Sequence, residues 1–196
     1  MGTESHEYAD RLVTLESAWW KRLLPVQAPY RWNLRRQRLG RTLDVGCGVG
    51  RNLATLGTGS VGVDHNETSV RVARTRGHQA FTVEEFLAGE HARPESFDGI
   101  LLAHVVEHLS PDAVRGVLRS YLPFLRPGGR VMFICPQERG YASDPTHETF
   151  TTGDDLVRLA RDVGLRADRW RSFPLPRAAG KAFVYNEFNV LATKPG

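Results

Sequence analysis

The stretch "LDVGCGVGRN", Leu43 to Asn52, sets glycines at 46, 48 and 50 behind an apolar lead-in that carries one acid, Asp44. It reads as a strand, a tight glycine turn and a helix start. Gly46 and Gly48 open backbone conformations closed to other residues and allow a ligand close to the main chain. Gly50 lets the element after the turn pack near the strand. A dinucleotide fingerprint runs G-x-G-x-x-G, with a helix N-terminus on the pyrophosphate. Here the spacing is G-x-G-x-G, Arg51 follows in place of a glycine, and Asp44 stands two residues before the first glycine. A carboxylate there repels a pyrophosphate and attracts an amino group. Asp64 ends the next apolar run, "SVGVD", where an acid can accept ribose hydroxyls. A nucleoside joined to an ammonium-bearing tail fits this pattern better than NAD.

Outward from the turn, short apolar runs alternate with helical periods. Strands are predicted near 42–45, 59–63, 79–83, 97–102 and 130–135, with helices near 50–56, 67–76 and 111–122. Asn66 and Ser110 stand as N-caps, the latter ahead of Pro111 and Asp112. Thr152-Gly-Asp-Asp155 reads as a capping box opening a helix to about Val163, with Gly164 past its end. Two more strands are expected near 166–171 and 182–192. Before the core, residues 5–24 show a helical period, Pro25 and Pro29 break it, and "YRWNLRRQRLG" suggests a short helix closed by Gly40. The alternation argues for a parallel-dominated sheet with helices on both faces.

The chain has 196 residues, enough for one α/β domain, and 41% hydrophobic content supports a full core. No run of ~20 apolar residues reads as a membrane span, and the N-terminus lacks the apolar segment of a signal peptide. Cys47 and Cys135 each fall at the end of an apolar run and read as buried thiols of a reducing cytoplasm, with no metal-ligand spacing. The net charge of +4 is too small to demand nucleic acid.

Four pieces in order, "LDVGCGVGRN", "VGVDHN", "SFDGILLAHVVEHLS" and "LPFLRPGGRVMFICP", resemble the class I S-adenosylmethionine-dependent methyltransferases over residues 41–136. The resemblance is nearest to the small-molecule branch. It implies an α/β, Rossmann-like three-layer sandwich whose seven-stranded, mostly parallel sheet has its last strand antiparallel. It also implies a single domain made of a helical lid over 1–40, a cofactor core over 41–136, and a substrate-side loop with a C-terminal helix and hairpin over 137–196. Within it Gly46, Cys47 and Gly48 line the methionine part of the cofactor with Asp44 nearby, and Gly50 belongs to the same cofactor-binding turn. Asp64 binds the ribose, His65 flanks the adenine, and Glu84 or Glu85 of the acidic loop "TVEEF" contacts the adenine. Ala103 and His104 lie near the sulfonium.

The expected activity is methyl transfer from S-adenosylmethionine to an O or N atom of a small molecule by direct displacement, leaving S-adenosylhomocysteine. An RNA methyltransferase using the arginines at 31, 35, 36, 38 and 41, or a non-catalytic cofactor-binding module, are the rivals. A monomer or homodimer is expected, with nucleic acid and membrane disfavoured. His104 and His108 are four apart and could share a helical face, but no H-E-x-x-H pattern accompanies them, so no metal is expected. The polar loop "PQERGYASDPTHETFTTGDD" carries Asp144, His147 and Glu148. Long polar loops in compact domains are often functional. Histidine, with an ordinary pKa of about 6.5, suits removal of an acceptor proton. His147 is therefore the expected general base, ahead of His104; the competing reading of the loop is a local Asp-Pro-Thr-His turn.

Overall fold

The structure, a computed structural model, describes residues 27–196. The helix expected over 5–24, with Trp19 and Trp20, lies outside the described residues. Seven strands, β1 (Thr42–Val45), β2 (Val61–Asp64), β3 (Ala80–Thr82), β4 (Phe97–Ala103), β5 (Leu125–Pro136), β6 (Trp170–Phe173) and β7 (Glu187–Thr193), make up a seven-stranded sheet, in the order β3-β2-β1 in the first part of the chain and β4-β5-β7-β6 in the second. β1 with β2, β2 with β3, and β4 with β5 pair in parallel; β7 runs antiparallel to β5 and β6. The chain divides into two compact units, Met1–His91 and Ala92–Gly196.

In the first unit every residue of β1 and β2 is buried. Strands covered on both faces read as continuous apolar runs rather than alternating ones, and here Asp44 and Asp64 are the polar interruptions. Leu43 pairs with Val61 and Val45 with Val63. Helix α2 (Glu67–Thr75) starts where the Asn66 side chain accepts the Ser69 N–H at 3.0 Å. Its buried Val70 and Ala73 pack with Cys47, Leu53 and Ala80. Gly62 makes this packing possible: a Cβ there would lie 2.6 Å from Cys47 Sγ and 2.7 Å from Leu53 Cδ1.

Four local expectations are corrected in this unit. The first helix, α1 (Ala28–Arg36), contains Pro29 in its opening turn, where a missing N–H costs nothing. It ends at Arg36 rather than at Gly40, because Arg38 already has φ of 50°. Residues 50–56 form turns, not a helix. Gly50 sits at φ +83°, and only Asn52 O collects helical-type bonds, from Thr55 and Leu56, before Gly57 seats against the Gly40 carbonyl. One turn is too short to repay helix nucleation. The acidic "TVEEF" is not a loop but the start of α3 (Val83–Ala88), with Thr82 and Glu85 forming a capping box. The sequence T-x-x-E carried that signal.

In the second unit β4 and β5 bury Ile100, Leu101, Val131 and Phe133 at 0% exposure. β5 begins at Leu125, earlier than expected, because an irregularity between Phe97 and Gly99 on β4 absorbs the exposed 126–128 segment. Helix α4 (Pro111–Tyr121) is capped by Ser110, and a short helix α5 (Glu138–Tyr141) follows β5. Helix α6 (Gly153–Asp162) carries the expected Thr152–Asp155 capping box and buries Leu156, Val157, Leu159 and Ala160. Gly164 beyond it has φ +85°. Each of the Leu and Val side chains contributes about 1.5–3 kcal/mol when fully buried.

The last strand begins at Glu187, not near 182. Residues Arg177–Lys181 form a 3-10 turn, and the Ala182 and Phe183 N–H groups both return to Ala179 O. Gly180 is seated so closely on Gln137 that a Cβ would lie 1.9 Å from its side-chain oxygen. Phe183 and Tyr185 consequently pack on each other in an exposed turn, whereas Phe188 enters the core. His104 and His108 share no helical face. His104 stands at the end of β4 with φ +59°, and the residues after it form only a 3-10 turn, Val106–His108.

Candidate active site

The glycine turn of the first unit is held from beneath by Asp64. Its Oδ2 accepts the Gly48 N–H at 2.7 Å and its Oδ1 accepts the Asn66 N–H at 2.8 Å. The Gly46 and Cys47 N–H groups both donate to Val63 O. Gly46 and Gly48 have φ of 75° and 52°, so the turn requires the left-handed region twice. Gly50 backs onto His78 and Ala73, 2.6 and 3.2 Å from where its Cβ would be.

Asp44 is 1% exposed, and neither carboxylate oxygen has a hydrogen-bond partner among the described residues. Burial first, and the charge of Asp64 second, push its pKa up to about 8. The Cys47 thiol is raised well above the ordinary range by burial and by Asp44 and Asp64, so it is no nucleophile. His65 is exposed, with Nδ1 3.5 Å from Asp64 Oδ1. Glu85 is committed to the Thr82 backbone and to Arg74, which together hold its carboxyl below the usual range. Glu84 is exposed beside it in the first turn of α3.

The second unit holds His104, His108 and His147. Ala103 is buried at the end of β4. The half-exposed His104 ring places Nδ1 3.1 Å from Glu107 Oε1 and Nε2 3.1 Å from Glu187 Oε1. Desolvation acts to lower its pKa, but the hydrogen bonds to Glu107 and Glu187 outweigh it and raise the pKa to about 10. Carboxylates on both ring nitrogens favour the doubly protonated form of His104. Burial acts to raise the Glu107 carboxyl, yet the His104 hydrogen bond and charge hold it below the usual range. Neither Glu107 nor Glu187 was singled out from the sequence. Glu107 adjoins the His104–His108 pair, but nothing marks Glu187 as its partner.

His147 sits where two readings of its loop meet. The Asp-Pro-Thr-His turn is present, since Asp144 Oδ1 accepts the N–H and hydroxyl of Thr146 at 3.0 and 2.8 Å. The Glu148 and Thr149 N–H groups donate to Glu107 O and pin the loop on the 3-10 turn. His147 Nδ1 lies 2.7 Å from the carbonyl of Tyr141, against whose ring it stacks. A carbonyl only accepts, so Nδ1 donates its N–H, and in the neutral ring the lone pair is on Nε2. His108 follows the same pattern, with Nδ1 3.2 Å from Thr146 O, and its ring centroid is 4.7 Å from that of His147.

A mostly parallel sheet with a reversed β7 is the fold of the class I S-adenosylmethionine-dependent methyltransferases. Residues 43–133 match the methyltransferase domain family. The chain is 33% identical over 150 residues to the ubiquinone biosynthesis O-methyltransferase of Aeromonas salmonicida, covering 64% of this chain and 62% of that one. It thus spans about three-fifths of the length of that relative. Among solved structures, a SAM-dependent methyltransferase from Archaeoglobus fulgidus superposes with a TM-score of 0.66 at 18% identity, over 84% of this chain and 93% of that one. The 1,6-didemethyltoxoflavin-N1-methyltransferase of Burkholderia thailandensis, with S-adenosylhomocysteine bound, gives 0.57 at 21% identity over 97% and 90%. At these identities the two likenesses bear on the fold alone.

Proposed function

We propose that the chain methylates an O or N atom of a small-molecule acceptor, and that its first unit binds S-adenosylmethionine through the Leu43–Asn52 turn. The observation that carries this is Asp44, a buried carboxylate with no donor of its own. An uncompensated buried acid is costly, and an amino-acid ammonium would satisfy it. When bound, S-adenosylmethionine supplies a methyl group already activated by its sulfonium. Gly46, Cys47, Gly48 and Gly50 then leave the main chain open to the ligand, Asp64 offers its remaining lone pairs to ribose hydroxyls, and His65 and Glu84 flank the adenine. Because Glu85 is tied to Thr82 and Arg74, Glu84 is the better adenine contact of the two.

In the second unit His147 takes the acceptor proton at Nε2, with the Tyr141 carbonyl fixing the tautomer. His104 acts as a positioning residue that orients Glu107. The test of the cofactor reading is calorimetry with S-adenosylhomocysteine against NADH, followed by methyl-label transfer into fractionated metabolites. Binding of S-adenosylhomocysteine and a labelled small molecule is the expected result; tight binding of NADH alone would overturn the reading. The similarity to ubiquinone biosynthesis O-methyltransferases favours a hydroxyl acceptor. No helix among the described residues is long and apolar enough to cross a membrane.

A further inference from the structure

The geometry points to a divalent transition-metal site made of Glu107, His108 and His147. One carboxylate oxygen of Glu107 and one ring nitrogen from each histidine lie within 4.8 Å of one another. Glu107 is 1% exposed; its Oε1 is taken by His104, and its Oε2 faces the buried Cys135 thiol without a close hydrogen bond among the described residues. The two imidazoles are already set up as ligands are: each gives its Nδ1–H to a backbone carbonyl, Thr146 O or Tyr141 O, leaving Nε2 with the lone pair. Metal-binding histidines are oriented in this way by a bond at the other ring nitrogen.

Two imidazoles and one carboxylate suit zinc and its neighbours rather than magnesium or calcium, which prefer oxygen. Three protein ligands leave one position for water or an acceptor oxygen, whose proton a bound cation makes easier to lose. The sequence spacing hid the set, because its third member comes from a loop 39 residues after His108. The site stands apart from the methyltransferase reading except at His147. Its Nε2 cannot bind a cation and accept a proton at once, so the base role belongs to metal-free protein.

The test is a cobalt(II) titration of chelator-treated full-length protein, followed by visible ligand-field absorption. One cobalt per chain is expected, with Glu107→Gln, His108→Ala and His147→Ala each weakening it by at least about tenfold. No saturable binding, or binding unchanged in all three variants, would overturn the site. His147→Ala changes only a loop side chain and keeps the test informative if Glu107→Gln fails to fold. S-adenosylhomocysteine affinity, measured in parallel, separates the two readings: its absence sinks the methyltransferase assignment, while cobalt binding alone decides the metal site.

Discussion

The Asp64 carboxylate accepts the backbone N–H of Gly48 at 2.7 Å while its other oxygen accepts that of Asn66. One acid at the end of β2 thus shapes the cofactor turn and starts the following helix segment. Asp64→Ala should leave two N–H groups without their acceptor. A loss of about 1–3 kcal/mol in urea unfolding is expected, together with weaker S-adenosylhomocysteine binding. Unchanged values for both would mean that Asp64 does not organise the turn.

Asp44 makes folding pH-dependent. Its pKa is about 8 in the folded chain, against about 3.9 in the unfolded chain. Between those values the folded state holds a proton that the unfolded state has released. Stability therefore falls as pH rises from about 4 to about 8, by up to about 1.4 kcal/mol per pH unit. Asp44→Asn should flatten this slope, which urea melts at pH 5 and pH 7.5 would show.

The same acid should report on the ligand. An ammonium beside Asp44 favours its charged form, so S-adenosylhomocysteine binding near pH 7 should release up to one proton. Binding enthalpy would then vary with the ionisation enthalpy of the buffer. Asp44→Asn should remove that dependence and weaken affinity by about 10- to 100-fold, the range for a hydrogen bond to a charged group. Buffer-independent enthalpies in the native protein would exclude a protonated Asp44.

For His147, the expected outcome of substitution with alanine in metal-free protein is a turnover loss of about 100-fold or more with cofactor affinity retained. Kinetics and calorimetry on one preparation check it. Near-native turnover would leave His147 as the loop residue that its bonds to Tyr141 and Asp144 already make it.

Thr152 caps α6, accepting the Asp155 N–H at 3.2 Å and having its own N–H accepted by Asp155 at 2.9 Å. Thr152→Ala should cost about 1 kcal/mol, read as a lower urea midpoint with an unchanged slope.

The parts of the fold written in local chemistry were legible in the sequence. Asn66, Ser110 and Thr152 announced their helices because a cap needs only its own neighbours. Gly46, Gly48 and Gly50 announced the turn because φ above zero selects residue type at the position itself. What failed depended on distant partners. Residues 50–56 keep helical composition yet are stopped by Gly57 against Gly40, and Phe183 is pulled out of the strand by the seating of Gly180 on Gln137. In the candidate site His147 was visible as a reactive type on a polar loop. The pairing of His104 with Glu187, 83 residues away, was not, because no spacing rule links the tip of β4 to the start of β7.

Cys47 and Cys135 are both buried, free and held in the thiol form. Each belongs to a different compact unit. In the native protein both are shut off from alkylating reagents, which attack thiolates. Mass-resolved labelling of the two sulfurs therefore acts as a pair of clocks, one timing the opening of the cofactor-turn unit and the other that of the histidine unit, without any probe being added to the chain.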